Sequence, residues 1–367
     1  MEEKNKNTIR ILHISDCLYL GGGVSSVILN WHKNIDRSKV QFDYLYFKDS
    51  YPTIDGEIKK LGGNIYKLPY PSFKKPWIFI KAVRDFFKTH QYSIIHSHIE
   101  SFSFIFFPIA KFYGVKNIVQ HTHNPRLGEK FLENLRNRFL FFLSKPFITK
   151  KIACSDSSGK KNFGNNYTII NNGIDTTIFK FNSNVRNEIR KELNIENRFV
   201  IGNIGRFAIQ KNLSFLVNIF SEIHKQNKNS VLLLVGDGPL KNEIKKQVYN
   251  LNLTKYVVFL EVRKDIEKIY QAMDCFVFPS LFEGMGIVAI EAQSCGLPCF
   301  LSNGVPQETM ICNTTKILLS KSAKEWANII VDKIKNFERK DCSKFVEKAG
   351  FDIKYTAKKI EDFYLKL

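Results

Sequence analysis

Two carboxylates stand eight positions apart around a Gly-Met-Gly turn, in the string Phe278-Pro-Ser-Leu-Phe-Glu283-Gly-Met-Gly-Ile-Val-Ala-Ile-Glu291. The apolar, β-prone run Cys275-Phe-Val-Phe278 before them reads as a buried strand closed by Pro279-Ser280, so Glu283 falls in a loop. From Ile287 the pattern turns helical until Gly296-Leu-Pro298 ends it, which places Glu291 on that helix. Gly284 and Gly286, flanking Met285 and preceding Ile287, let backbone N–H groups approach a diphosphate closely, and the helix dipole favours negative charge there. A carboxylate on the first helical turns can accept hydrogen bonds from ribose hydroxyls, and one in the preceding loop can reach polar groups of a sugar. Glutamates at this spacing are also commonplace on surface helices, so the pair by itself does not choose a function.

A second constellation is cationic. Gly205-Arg206-Phe-Ala-Ile-Gln-Lys211 follows a strand and leads into a helix, with its two cations five positions apart. Arg offers a fork of donors and Lys a point charge, a pairing suited to the charge that builds on a leaving nucleoside diphosphate. In a chain with 55 Lys and Arg, a solvated loop is the better explanation of two cations taken alone, and their place between a strand and a helix counts against it. Gly236 and Gly238, at the end of another strand, permit either a bare turn or the close approach of a ligand. Near the N-terminus the strand-like Thr8–Ser15 runs into Gly21-Gly22-Gly23 and then a helix-like stretch, the order strand, glycine loop, helix.

Two histidine motifs, Ile95-His96-Ser97-His98 and Gln120-His121-Thr122-His123-Asn124, each end an apolar strand, where α/β proteins often bind ligands. Zinc requires three or four converging ligands with support behind them, and neither motif has a nearby Asp or Cys. Recognition of sugar hydroxyls is therefore the favoured reading, and no metal or other cofactor is expected.

The elements that must position these groups alternate. Strand-like runs at 42–47, 64–68, 93–96, 117–121, 151–154 and 168–171 are separated by helix-like stretches, which predicts a parallel sheet wrapped by helices. A polar segment over 176–198, containing a basic, helix-like stretch around 185–193, reads as a linker, after which Phe199–Gly205 opens a second alternation with strands at 231–235, 257–260, 275–278 and 299–302. Helices over 323–335 and 352–365 close the chain.

Taken together, the string around Glu283 and Glu291, the Arg206/Lys211 pair and the Asn172-Gly-Ile-Asp175 turn resemble the E-x7-E glycosyltransferases of family 4, retaining enzymes with the GT-B fold that include capsular and exopolysaccharide transferases. The resemblance covers nearly the whole chain. It implies an α/β architecture of two Rossmann-like domains facing a central cleft, with a C-terminal helix crossing back to the first domain. The expected division is 1–178 as the acceptor-binding domain, 179–198 as linker, 199–350 as the nucleotide-sugar-binding domain and 351–367 as the returning helix.

By the same resemblance, Arg206 and Lys211 stabilise the departing diphosphate, Glu283 holds sugar hydroxyls, Glu291 the ribose, and His123 contacts the donor sugar, with His121 the alternative register. Gly22 and Gly23 correspond to the family's glycine loop at the diphosphate and sugar. Val262 and Arg263 lie where the family contacts the nucleotide base, although Glu261 stands where it usually has glycine. Asn172 and Asp175 organise a turn. Retention is attributed in this family to same-face attack, and domain closure would expel water.

Composition bounds the setting. With 367 residues, 44% of them hydrophobic, the chain can supply two cores. Its seven cysteines are odd in number and form no CxxC pattern, which suggests a reducing cytosol. The start, Met-Glu-Glu-Lys-Asn-Lys-Asn-Thr, lacks the apolar core of a signal peptide, and the most apolar window, Phe102–Tyr113, is interrupted by Pro108 and Lys111 and reads as a buried helix. The net charge of +20 comes without a nucleic-acid-binding motif. Basic and aromatic residues interleave in Phe73–Lys88 and again in Lys130–Lys151. These stretches either meet an anionic membrane or are amphipathic helices with aromatic faces in the core and solvated lysines.

The implied activity is transfer of a sugar from a UDP-sugar to a hydroxyl of a glycan, lipid-linked at the cytoplasmic membrane face, in capsule or exopolysaccharide assembly. A catalytically silent GT-B subunit, or a GT-B enzyme with a soluble acceptor, is the alternative.

Overall fold

The computed structural model describes residues 8–72 and 74–367. Residues 1–7, on which the expectation about export partly rests, and Phe73, the first residue of a basic-aromatic stretch, lie outside the described residues.

Strand and helix alternate throughout. The first half contains β1 (Ile9–Ile14), α1 (Gly23–Asn34), β2 (Val40–Tyr46), α2 (Asp55–Lys60), β3 (Ile65–Lys67), α3 (Pro76–Thr89), β4 (Ile94–Ser97), α4 (Ser103–Phe112), β5 (Asn117–Thr122), α5 (Phe131–Ser144), β6 (Lys150–Ala153), α6 (Asp156–Phe163) and β7 (Thr168–Ile169). The second half contains α7 (Ser183–Glu192), β8 (Phe199–Ile204), α8 (Leu213–Gln226), β9 (Ser230–Val235), α9 (Lys241–Asn250), β10 (Val257–Leu260), α10 (Ile266–Ala272), β11 (Cys275–Phe278), α11 (Ile287–Ser294), β12 (Cys299–Ser302), β13 (Thr314–Ile317), α12 (Ala323–Ile334) and α13 (Ser343–Val346), followed by α14 (Ile353–Leu365). Two compact units result, one running through Gly173 and including Ile353–Leu367, the other comprising Ile174–Asp352.

Both sheets are parallel. The first has the order β3-β2-β1-β4-β5-β6-β7 and the second β10-β9-β8-β11-β12-β13. Each strand order reverses beside its unit's first strand, between β1 and β4 and between β8 and β11. At such a switch point adjacent loops diverge and leave a crevice beyond the carboxyl ends of the strands.

The strands read as continuous apolar runs because helices cover both faces of a parallel sheet. In β9, Val231, Leu232, Leu233, Leu234 and Val235 are all buried. On α8, Leu213, Leu216, Val217, Phe220 and Ile223 recur at helical spacing and pack into the same core as Trp326 of α12. Burying a side chain such as Phe220 contributes about 1.5–3 kcal/mol, and truncating it to Ala costs about 3–5 kcal/mol. Ser322 and Glu325 form a reciprocal capping box that starts α12. In the first unit, Phe79, Val83, Phe86 and Phe87 of α3 share a core with Phe106, Phe107 and Ala110 of α4.

The last helix, α14, belongs to the first unit and packs against α1 and β2. Its Glu361 carboxylate accepts the Asp36 backbone N–H at 2.7 Å.

Several expectations meet a different local structure. Residues 174–198, divided above between the first domain and a linker, lie in the second unit. There α7 is held by Arg186 and Arg190, which donate to the Asp274 carboxylate and to carbonyls at the end of α10. The polar, basic sequence of α7 concealed that anchoring. The short edge strand β13, Thr-Thr-Lys-Ile, carries no apolar run that would reveal it. Cys312 and Cys342 are joined in a disulfide, a pairing that their odd total and wide spacing did not signal.

Candidate active site

In the second unit, the loops after β8 and β11 meet at the switch point. Lys211, in a short 3-10 turn after β8, places its ammonium 2.7 Å from the Glu283 carboxylate, which lies in the loop after β11. Gln210 donates to the second carboxylate oxygen at 3.2 Å and to the Phe282 carbonyl at 2.9 Å. The Leu281 N–H donates back to the Gln210 carbonyl at 2.8 Å, so backbone and side chains lock the two loops together. Lys211 also lies over the Phe278 ring, 4.8 Å from its centre. Glu283 is buried, whereas Arg206 on the first of these loops stays exposed.

Gly286 caps α11 with φ of 75°, a conformation that glycine adopts without strain. It lies beside Glu283, with buried Gly284 and Met285 before it and half-buried Ile287 after it, and the first N–H groups of α11 have no partner within the helix. The Met285 carbonyl is pinned by the Thr309 hydroxyl.

Glu291 stands on α11 and is buried. The hydroxyl of Tyr270, on α10, donates to its carboxylate at 2.7 Å and lies 3.0 Å from the Val288 carbonyl. Burial pushes the Glu291 carboxyl up to about 7; the Tyr270 hydrogen bond opposes that rise and the Glu267 charge adds to it. Glu291 thus stands poised between neutral and charged near neutral pH.

The glycines after β9 serve a purpose the sequence did not reveal. A Cβ on Gly236 would stand 2.2 Å from the Gly205 carbonyl oxygen, and one on Gly238 2.6 Å from that of Phe207. The close approach they permit is to the neighbouring loop's backbone, which Phe207 N–H to Asp237 O, at 2.9 Å, holds in place. Val262 is half-buried, and the Arg263 guanidinium is engaged by Asp265 and Glu192 rather than free for a ligand.

The first unit fills its switch point with imidazoles. In the register of β1, β4 and β5, His13 pairs with His96, and the period of two puts His98, His121 and His123 on the same face of the sheet. His13 Nδ1 lies 3.0 Å from His98 Nε2, and His98 Nδ1 lies 2.7 Å from His123 Nε2. Tyr364 of α14 bonds His96 Nδ1 through its hydroxyl and approaches His13 Nε2 at 3.4 Å. Burial lowers the pKa of all five rings, that of His123 to about 3, so they are neutral. Gly22 caps α1, while Gly23 has open space where a side chain would project.

Two family profiles match the chain: Glycosyltransferase Family 4 over residues 21–178 and Glycosyl transferases group 1 over residues 185–350. The glycosyltransferase EpsF of Bacillus subtilis is 30% identical over 340 residues, 89% of this chain and 88% of that one. The chain belongs to glycosyltransferase family 4. A second relative, the UDP-Gal:alpha-D-GlcNAc-diphosphoundecaprenol alpha-1,3-galactosyltransferase of Escherichia coli, is 29% identical over 299 residues, covering 76% of this chain and 77% of that one. Among solved structures, Anabaena HepE in complex with UDP and glucose superposes with a TM-score of 0.83 at 21% identity, covering 98% of this chain and all of that one. The glycosyltransferase therefore has the GT-B fold and is related to exopolysaccharide enzymes.

Within it, the sequence reading missed Gln210 and Tyr270, the side chains that hold Glu283 and Glu291. Gln210 stood inside a quoted motif, but only the folded loop shows where its amide points. Tyr270 is 21 positions from Glu291 and carries no sequence signal.

The two basic-aromatic stretches also separate. On α3 the aromatic face enters the core and only Trp77 and Ile78 remain exposed among its large apolar residues. On α5 the opposite holds: Phe131, Leu132, Leu135, Phe139 and Phe142 are all more than half exposed. Among the described residues no helix is long and apolar enough to cross a membrane.

Proposed function

We propose that this glycosyltransferase moves a sugar from a UDP-sugar to a hydroxyl of a lipid-linked glycan, with retention of anomeric configuration, in capsule or exopolysaccharide assembly. The observation that carries the reading is the Lys211–Glu283 pair at the second unit's switch point, beside the left-handed Gly286 that opens α11.

Arg206, Lys211 and the N–H groups of α11 stabilise the charge on the departing UDP, a role that a divalent ion performs in metal-dependent transferases. No metal is needed there on this reading. Glu283, held by Gln210 and Lys211, accepts hydrogen bonds from sugar hydroxyls, and Glu291, oriented by Tyr270, accepts them from the ribose. By the family resemblance, Gly236, Gly238, Val262 and Arg263 shape the nucleotide side, where Arg263 offers its backbone because its side chain is engaged. Gly22, Gly23 and His123 of the first unit are assigned to the diphosphate and sugar.

The acceptor oxygen attacks the anomeric carbon on the face from which UDP leaves. Its proton passes to the leaving phosphate oxygen as the carbon–oxygen bond to UDP breaks, so no protein nucleophile is required.

The relative from Escherichia coli acts, by its name, on a UDP-sugar and a diphosphoundecaprenol-linked glycan, which supports both the donor and the acceptor. The exposed face of α5 supports peripheral contact with an anionic membrane. Around it stand Lys130, Lys145, Lys150 and Lys151, and burial together with the charges of Lys151 and Arg138 lowers the Lys145 pKa. A dense positive field beside exposed aromatics fits anionic headgroups over acyl chains.

Calorimetry with UDP and GDP, in the absence of divalent ions, tests the donor assignment. UDP should bind in preference to GDP, and Lys211→Ala and Glu291→Ala should each weaken it at least about tenfold, the size of a lost charge-assisted hydrogen bond. Absence of binding to either nucleotide would sink the assignment.

A further inference from the structure

Taken one motif at a time, the histidines of the first unit supply two ligands each, too few to hold an ion. The parallel register of β1, β4 and β5 instead gathers five imidazoles on one face. A neutral imidazole has one donor and one acceptor to satisfy. The line from Tyr364 through His13 and His98 to His123 satisfies most of its ring nitrogens. His121 is fully buried, yet neither of its ring nitrogens has a hydrogen-bond partner, and His123 Nδ1 and His96 Nε2 are likewise unpartnered. Buried polar atoms without partners call for a ligand or a functional reason.

We propose that His98, His121 and His123 form a binding site for a borderline divalent transition-metal ion, with Zn2+ the foremost candidate. Each of the three offers one ring nitrogen, and these lie within 4.8 Å of one another. Nitrogens bound to zinc at about 2.0–2.1 Å in a tetrahedron stand roughly 3.3 Å apart, so small side-chain rotations close this set on an ion. A donor set made only of imidazole selects zinc, copper, nickel or cobalt and discriminates against magnesium and calcium, which take oxygen ligands.

The surroundings suit the same ion. With its Nδ1 on the metal, His98 keeps an Nε2–H aimed at His13 Nδ1, 3.0 Å away, and His13 in turn reaches the Tyr364 hydroxyl. Such a hydrogen bond behind a ligating histidine sets its tautomer and raises its basicity. Trp31 lies nearly parallel to His121, at 17° and 5.7 Å between centres, and limits its rotation. Half-buried His123 supplies the entry side. The overlapping trio of His13, His96 and His98 is the weaker choice, because the Tyr364 hydroxyl, outside it, engages both His96 Nδ1 and His13 Nε2.

This site lies in the first unit, apart from Arg206 and Lys211, and takes His123 as a metal ligand in place of the sugar contact assigned to it above. The test uses the full chain, stripped with a chelator and titrated with Co2+ as a coloured substitute for Zn2+. The expected result is one equivalent with the visible absorption of a low-coordinate cobalt site, displaced stoichiometrically by Zn2+. His121→Asn and His98→Asn should each weaken binding more than tenfold, whereas His90→Asn, outside the cluster, should leave it unchanged. Because either cluster variant could fail to fold, imidazole nitrogen resonances of the wild type provide a second readout, with Zn2+ shifting those of His98, His121 and His123. No cobalt absorption and no resonance shift overturns the proposal, as does absorption that persists in both folded cluster variants.

Discussion

The two units share a strand order and a switch point but equip them with opposite chemistry. Beyond β8 and β11 the loops carry Arg206, Lys211 and Glu283, and the helix after them Glu291; beyond β1, β4 and β5 the corresponding place holds five neutral imidazoles. The fold decides where a ligand can be met, and the side chains decide which ligand. A charged set of side chains held by reciprocal loop contacts suits a substrate that is itself a dianion. A buried, uncharged array is suited to groups that need nitrogen lone pairs or weak donors.

The sharpest way to break this contrast is to remove charge from the second unit. Lys211→Ala should lower turnover of a UDP-sugar about 10²–10³-fold, since it deletes the donor proposed for the leaving diphosphate. It also leaves buried Glu283 without its cation, on the order of 3 kcal/mol in stability, which thermal unfolding should record. Adding Glu283→Gln should restore much of the stability and none of the turnover. Turnover that survived Lys211→Ala would end the proposed division of labour.

The glycine loops offer a second comparison. Gly236→Ala drives a methyl group into the Gly205 backbone and should cost about 1–3 kcal/mol. Gly23→Ala meets nothing within 4 Å and should be neutral or stabilising by about 0.4–1 kcal/mol. If Gly23→Ala nevertheless weakens UDP-sugar binding in calorimetry, the space above Gly23 belongs to the ligand.

On the membrane side, Phe139→Ser with Phe142→Ser on α5 should reduce cosedimentation with anionic vesicles by about tenfold or more, given roughly 1.5–3 kcal/mol for each fully buried Phe. The change Trp77→Ser on α3 should have the smaller effect. Equal effects would show that the two helices do not differ as their burial indicates.

The smallest effect concerns pH. The Glu291 carboxyl titrates at about 7 in the folded chain, against about 4.3 when unfolded. The native state holds the extra proton, so this contribution to stability is present below about pH 4.3 and is lost as pH rises to 7. UDP affinity should move the other way, rising severalfold as the carboxylate forms, and Glu291→Gln should flatten both profiles. Matching profiles for wild type and variant would remove Glu291 from the ribose site.

Local pattern made much of this molecule legible. The apolar runs of β8, β9 and β11, the helical period of α8 and the break at Gly296-Leu-Pro298 each write their geometry over a few neighbouring residues, and the structure places the elements accordingly. The strand β13 and the anchoring of helix α7 escaped because the contacts concerned are remote: β13 pairs with β12, and α7 is held on Asp274. Similar basic-aromatic composition did not distinguish α3 from α5, since which face a helix buries depends on what it packs against.

By itself the sequence determined the alternation of elements, the loops that carry Arg206, Lys211 and Glu283 and the helix that carries Glu291, because secondary structure and turn chemistry follow from local spacing. Only the tertiary structure decided that Lys211 meets Glu283, that Tyr270 holds Glu291, that Gly236 makes room for Gly205, and that five histidines from three strands share one face. Those contacts join residues far apart in the chain, and strand order and register, not spacing, bring them together.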